Sequence, residues 1–330
     1  MKLTNLNKLQ NYLEKQGDDV KELFVPLLRD VASPNKVVYV DLRSWNRVIE
    51  KRKRGKTDKE STVYFTSLLK PNFLYNSIML GANFDNSLLY YWFRKCGVRF
   101  EEFKEISQRL RPVQTANRAI EICYFLEGSY FSKSKARKSL GDEGTLIEIM
   151  DEAAVSCFGN EEFLYITNND RNSPILEGAS KGRRISVCSH GLNCYDSYHS
   201  IYFSAALNRS PQHFKMLEHL GFDADHVHSA TAHDVAYQAA MRLSLRRPDK
   251  THPVRIVVPD EYTAARLGQL LGIKEIHKIG DINLGKGHES LSPSQRNRRS
   301  KTKKLVDGLF TPKRLHFPLI DDKRNQIGCK

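Results

Sequence analysis

The sequence contains no Cys-x-x-Cys pair. Its six cysteines, Cys96, Cys123, Cys157, Cys188, Cys194 and Cys329, are scattered, which argues against a zinc ribbon or a disulfide framework and fits a reducing cytoplasm. No apolar run approaches the ~20 residues that cross a bilayer. The polar, amphipathic stretch Met1–Lys15 has no apolar signal core. No membrane partner is expected, and the expected location is the cytoplasm. There is no internal repeat. A phosphate loop is missing too: Gly55-Lys56-Thr57 has the closing residues of one, but Ile49 or Glu50 stands where the opening glycine belongs. Acidic residues are outnumbered, with 38 Asp and Glu against 52 Lys and Arg and a net charge of +14. Such an excess suits a polyanionic partner, DNA or RNA, while saying nothing about fold.

What is present reads as alternating strands and helices. With 330 residues, 40% hydrophobic and 27% charged, the chain is long enough for one large or two ordinary domains. Leu3–Arg29 has helical periodicity and Val37–Val40 is a short buried-type strand. Trp45–Glu60 is polar and strongly basic. Asn76–Phe84 reads as a strand ending at a small-residue turn, with a helix over Asn86–Phe93. A helix over Leu146–Cys157 precedes a strand at Phe163–Asn168, followed by strands at Ile185–Tyr195, Ser200–Ala206 and Val254–Pro259. Helices are expected over Pro211–Leu220 and Asp234–Arg247. Alternation of this kind predicts a parallel α/β sheet covered on both faces, with ligands at the carboxyl ends of its strands. Gly81-Ala82-Asn83, Thr167-Asn168-Asn169 and Gly191-Leu192-Asn193 are candidates for those ends.

The most informative stretch is Tyr237–Arg246. Gln238, Arg242 and Arg246 are spaced i, i+4, i+8 and would share one helix face. An amide with two guanidiniums is a receptor for polyphosphate, and an arginine finger stabilises charge on a transferring phosphoryl group. Ordinary solvated arginines on a surface helix are the bland alternative.

Taken in order, several segments resemble the later half of a superfamily-two (DEAD/DEAH-like) helicase of phage or plasmid type. Ile78–Asn83 resembles the motif that couples nucleotide and strand binding at the end of the first RecA-like lobe. Leu164–Asn169 resembles the first strand of the second lobe. Ser189–Tyr195 with Ile201–Pro211 resembles the fifth motif, and Gln238–Arg246 the sixth, with Met241 in place of the usual glycine and the second arginine one residue late. The resemblance implies Gln238, Arg242 and Arg246 as catalytic residues, and Gly81, Ala82, Asn83, Gly191, Asn193 and Tyr195 as residues coupling nucleotide to strand. It implies a RecA-like fold: a first-lobe remnant within residues 1–140, a second lobe over 141–284, and a basic tail over 285–330. The implied function is nucleic-acid binding by the C-terminal half of an ATP-dependent helicase, in mobile-element DNA replication or maintenance. The phosphate loop and acidic magnesium motif that would come earlier are not seen. ATP and Mg2+ are therefore expected only if a partner supplies the missing lobe, and the chain alone would be inactive. Asp151-Glu152-Ala153-Ala154 looks like the acidic motif, but it lies on the Leu146–Cys157 helix and after the first-lobe segment. It reads as a solvated helix face.

In the tail, Arg296, Arg298, Arg299, Lys301, Lys303 and Lys304 are candidate phosphate contacts. Two other readings compete. One is a nucleic-acid-binding scaffold without enzymatic activity. The other is a metal-dependent phosphohydrolase using His226, His228, His233 and Asp234, against which the region around His226 reads as a short polar connection between helices. Tyr195, Tyr198 and Tyr202 are candidates for stacking on bases, with Tyr202 the one expected to be packed inside.

Overall fold

The computed structural model describes residues 19–54, 63–74, 77–109, 118–140, 144–188, 194–247, 249–280 and 313–314. In chain order the elements are α1 (Asp19–Ala32), β1 (Lys36–Val40), α2 (Leu42–Lys53), β2 (Phe65–Leu69), α3 (Leu88–Lys95), α4 (Lys104–Ser107), β3 (Ile120–Leu126), α5 (Lys133–Ala136), α6 (Leu146–Phe158), β4 (Phe163–Ile166), α7 (Pro174–Gly178), β5 (Gly182–Arg184), β6 (Ser200–Phe203), α8 (Pro211–His219), α9 (Ala224–His228), α10 (Asp234–Ala240), β7 (Val254–Asp260), α11 (Glu261–Leu271), β8 (His277–Lys278) and β9 (Lys313–Arg314). Among the described residues, no helix is long and apolar enough to cross a membrane.

Six strands form one sheet in the order β5-β4-β6-β7-β3-β8, with every pairing parallel. The expectation of a parallel α/β sheet with helices on both faces therefore holds. The strands read as apolar runs because both faces are buried, and side chains separate by the two-residue period. Ile122, Tyr124, Leu164, Ile166, Ile201, Phe203, Ile256 and Val258 face α10 and α11. Cys123, Phe125, Phe163, Tyr165, Tyr202 and Val257 face α6 and α7.

Local signals set the helix ends. The Thr145 N–H donates to the Glu148 carboxylate at 2.7 Å at the start of α6. Asp260 accepts from the Thr263 N–H at 2.9 Å at the start of α11, which ends at Gly272 in the left-handed region at φ 71°. Gly182, on the edge strand, is required for close approach: a Cβ there would lie 2.9 Å from the Phe163 ring and 3.2 Å from the Leu176 carbonyl oxygen.

A second, three-stranded sheet has the order β2-β1-β9 and is antiparallel. It joins the larger body through α3 and α8. Trp92 Nε1 donates to the Leu69 carbonyl at 2.6 Å, and Leu68, Tyr91 and Trp92 pack with Leu217, Phe222 and Val227.

Several expectations are corrected. No strand forms over residues 77–84. Ile78 and Leu80 are 58% and 70% exposed, and without a neighbouring strand to complete a ladder the apolar pattern has nothing to pair with. The turn at its end is present, with Asn83 left-handed at φ 54° and a 3₁₀ turn at Phe84–Asn86. The strand of this region is β2, antiparallel to β1. Of the strand expected over Ile185–Tyr195, residues 185–188 and 194–195 are not in a strand and residues 189–193 lie outside the described residues; the strand formed here is Gly182–Arg184. The helix expected over Asp234–Arg247 stops at Ala240, and Leu243 is extended before a 3₁₀ turn at Ser244–Arg246. Ser244 is held elsewhere, its N–H donating to the Tyr198 carbonyl at 2.9 Å and its hydroxyl pairing with His199 Nδ1 at 2.8 Å. The connection around His226 is a nearly continuous helical run, with a π-helical turn at Ser229–His233 between α9 and α10. β3 lies N-terminal to residue 140, so the large sheet extends beyond the 141–284 span drawn from the sequence.

Candidate functional site

The helix break decides where the three-residue motif goes. Gln238 is half-buried on α10. Arg242 follows the helix end in a turn, its N–H donating to the Ala239 carbonyl at 3.0 Å, and Arg246 sits in the 3₁₀ turn. The three do not line one continuous α-helical face. Arg242 is 9% exposed, whereas Arg246 is exposed. Burial, with repulsion from Arg246 second, lowers the Arg242 pKa.

Asn83, about 150 residues earlier in the chain, reaches the other end of the same helix. Its Nδ2 donates to Asp234 Oδ1 at 3.5 Å. A helix of seven residues is about 10 Å long. One short helix thus carries Asn83 at its start and the two arginines just past its end. Gly81 and Ala82 are at the exposed turn beside Asn83, with Gly81 exposed. Gly191 and Asn193 lie outside the described residues. Tyr195 is 9% exposed, with the Arg183 guanidinium 5.2 Å from its ring centroid. It is packed rather than presented for stacking, as is Tyr202. Arg296, Arg298, Arg299, Lys301, Lys303 and Lys304 lie outside the described residues. Of the earlier basic stretch, Arg47, Lys53 and Arg54 are exposed at and beyond α2.

The Asp151-Glu152 reading as a solvated face is corrected for its first residue. Asp151 is 0% exposed. It is paired with Arg171 and accepts from the Ser173 hydroxyl at 2.5 Å, while Glu152 is exposed. Burial pushes the Asp151 carboxyl above the usual range, with Arg171 and Ser173 pulling it back. The buried Tyr202 hydroxyl is raised well above its usual value by burial and by Asp151.

At the carboxyl ends of the strands, Asn168 closes one crevice. The chain leaves β4 toward β5 and β6 toward β7, in opposite directions, so a ligand crevice is expected between β4 and β6. There Asn168 bridges across, accepting from the Ala206 N–H at 2.9 Å and donating to the Ala206 carbonyl at 3.0 Å. A small cleft lies one strand over, beyond β6, β7 and β3, where Tyr130, Ala206, Asn208, His228, His233 and Asp260 meet.

Asp260 is committed inside that cleft. Besides Thr263, it accepts from the Phe131 N–H at 2.8 Å. His233 is 7% exposed and lines the cleft. Burial brings its pKa down to about 4, so the imidazole is neutral at physiological pH.

Beside the cleft stands a column of rings. Tyr130 is stacked against His228 at 4.5 Å and 4° and against Tyr262 at 4.2 Å and 22°. Phe214 lies against His228 at 4.8 Å. Burial, with Asp225 second, raises the Tyr130 hydroxyl to about 12. His226 stacks separately on Tyr91 at 4.1 Å. The histidines are thus drawn into ring contacts, and among the described residues no group of three or more His, Cys, Asp or Glu side chains could hold a metal ion. The metal-hydrolase arrangement of His226, His228, His233 and Asp234 does not form. The sequence signal for the ring column was the pairing of Tyr130 and Tyr262 with His-x-His, which becomes readable once β3 is recognised. No family model, no curated protein and no solved structure matches the chain.

Proposed function

We propose that this protein is a helicase-like nucleic-acid-binding protein whose six-stranded sheet is a second RecA-like lobe, from a system serving mobile-element DNA. The observation that carries the reading is α10. Asn83, in the segment resembling a first-lobe motif, contacts Asp234 at the start of that helix, and the segment resembling the sixth motif begins at Gln238 on the same helix and runs past its end to Arg246. The parallel sheet beneath, and the charge of +14, support the same reading.

Gln238, Arg242 and Arg246 fit the role of contacts to a phosphate presented by a partner. Guanidiniums at these positions would stabilise charge gathering on phosphate oxygens. Among the described residues no group of three or more His, Cys, Asp or Glu side chains could hold a metal ion, and Gly55-Lys56-Thr57, outside the described residues, lacks the opening glycine of a phosphate cradle. No step of ATP hydrolysis is therefore assigned to this chain by itself. ATP and Mg2+ enter through a protein that supplies the first lobe. The non-enzymatic scaffold is the same protein without that partner.

The test has two arms. ATP turnover by the purified chain, with and without single-stranded DNA, is expected at background. Robust turnover lost in Arg242→Ala would overturn the need for a partner lobe. Binding to single-stranded DNA is expected to be sequence-tolerant. If about six phosphates are neutralised, affinity falls by about 10³-fold between roughly 50 and 200 mM salt. Deleting residues 285–330 should flatten that slope, and no binding at low salt would remove the nucleic-acid reading.

A further inference from the structure

The column Phe214–His228–Tyr130–Tyr262 ends in a ring that has no ring beyond it among the described residues. Tyr262 is 40% exposed, one of four large hydrophobic side chains exposed to at least this degree among the described residues. The inner members of the column are covered: Tyr130 between His228 and Tyr262, and His228 between Tyr130 and Phe214. Tyr262 stands in the first turn of α11, whose opposite side is buried through Thr263, Ala264, Leu267 and Leu271. Its orientation is therefore fixed by a packed helix and by the stack beneath it. A planar side chain held this way offers its outer face at little entropic cost, because the ring does not have to be ordered when a ligand arrives.

The surroundings narrow the ligand. Arg266 is four residues further along α11, on the same side as Tyr262, and its charge is felt at His233 in the cleft. Its guanidinium contacts Gln269 through one nitrogen, and the remaining donors of the fork can take phosphate oxygens. A π-face and a guanidinium four residues apart on one side of a helix match one nucleotide unit: a base on the ring and its phosphate on the arginine. Acidic groups at Asp225, Asp260 and Glu261 flank the inner side of the column. Asp260 accepts three hydrogen bonds from Phe131 and Thr263, Glu261 accepts from the Gly128 N–H at 2.9 Å, and Asp225 accepts from the Tyr130 hydroxyl at 3.4 Å.

We propose that the outer face of Tyr262 is a platform on which one nucleobase stacks, with Arg266 contacting the adjoining phosphate. Every base has a π-face, so the platform is indifferent to sequence. It rests on the nucleic-acid reading above and adds to it a defined contact on the last helix of the large sheet, apart from the basic tail and from Arg242 and Arg246.

The experiment uses the full chain and a fluorescein-labelled oligo-dT of about 15 nucleotides, read by anisotropy. Tyr262→Ala is expected to weaken binding by about 5- to 150-fold, the range for losing one base–aromatic stack. Tyr262→Phe, which keeps the ring, should bind like wild type. Tyr262→Leu, which keeps an apolar cover over Tyr130, should bind like the alanine variant, separating the ring's role from the stability of the column. The salt slope should be unchanged in Tyr262→Ala and should fall by about one in Arg266→Gln. An abasic oligonucleotide of the same length should bind wild type and Tyr262→Ala alike. Thymidine monophosphate tells the source: affinity equal to that of the oligonucleotide, lost in Tyr262→Ala, assigns the platform to free nucleotides, and weak competition assigns it to a strand. Equal binding of oligo-dT by wild type and Tyr262→Ala overturns the platform while leaving the nucleic-acid reading intact. Absence of wild-type binding at low salt overturns both.

Discussion

The two faces of the large sheet bury polar groups in different ways. On the α6–α7 face, Asp151 is sealed from solvent with a guanidinium and a hydroxyl on its oxygens. On the α10–α11 face, His233 is almost as deeply buried but lines a small cleft beside Tyr130, and its pKa is driven down by burial. A buried charge with its hydrogen bonds met belongs to the architecture. The His233 imidazole, stacked 6.4 Å from the Tyr130 ring, is instead kept neutral by burial. Asn168 draws the same distinction along the carboxyl edge, closing the crevice between β4 and β6 and leaving open the one beside β7. The α6–α7 face holds its buried charge inside the packed core, and the α10–α11 face brings its buried imidazole to the cleft.

The largest effect that would test this division is on the sealed face. Arg171→Leu leaves the Asp151 carboxylate buried without its cation. A loss of about 3–5 kcal/mol in unfolding free energy is expected, read from urea denaturation. The double variant Asp151→Leu with Arg171→Leu should recover most of that loss, because an apolar pair of similar volume removes the uncompensated charge. If Arg171→Leu alone is neutral, Asp151 does not belong to the architecture and the comparison of the two faces breaks.

A smaller effect is expected on the cleft face, and it depends on pH. His233 has a folded pKa of about 4 against an ordinary value of 6.5. The unfolded chain takes up this proton first as pH falls. Stability is therefore fully present above pH 6.5 and is lost as pH drops toward about 4. The loss attributable to this group is at most about 3 kcal/mol. His228 and His213 shift in the same direction, also through burial, and add to the slope. His233→Gln should flatten the stability profile across that window, measured by denaturation midpoints at several pH values. An unchanged profile would mean that His233 is not buried as neutral imidazole.

The sequence was most legible where a strand is apolar on both faces. Val37–Val40, Phe163–Ile166, Ser200–Phe203 and Val254–Pro259 lie in strands, because a run buried on two sides needs no alternation to be recognised. Ile120–Leu126 has the same character and was overlooked, as were β2 and α11. The site was less legible, for two reasons. Helical spacing of Gln238, Arg242 and Arg246 holds only if the helix continues, and the tertiary contacts of Ser244 with Tyr198 and His199 end it. Burial of Asp151 depends on Arg171 and Ser173, about 20 residues along the chain, and a periodicity argument within one helix cannot register such a partner. The ring column likewise joins residues from four elements or loops, which share no spacing in the sequence.

The smallest effect concerns Asn83, and it separates a backbone role from a side-chain one. Asn83 is left-handed at φ 54°, a conformation that asparagine tolerates and that alanine disfavours by about 1–2 kcal/mol. Its side chain contributes one long hydrogen bond to Asp234, worth no more than about 0.5 kcal/mol at that length. Asn83→Gly keeps the turn and drops the side chain, so unfolding free energy should stay within about 0.5 kcal/mol of wild type. Asn83→Ala should cost about 1 kcal/mol, through the backbone. The two variants measured together by urea denaturation give the side chain's share directly. If Asn83→Gly costs as much as Asn83→Ala, the contact with Asp234 is stronger than its length suggests. The loop over residues 77–86 would then be an integral part of the α10 face, tied to the helix that leads to Arg242 and Arg246.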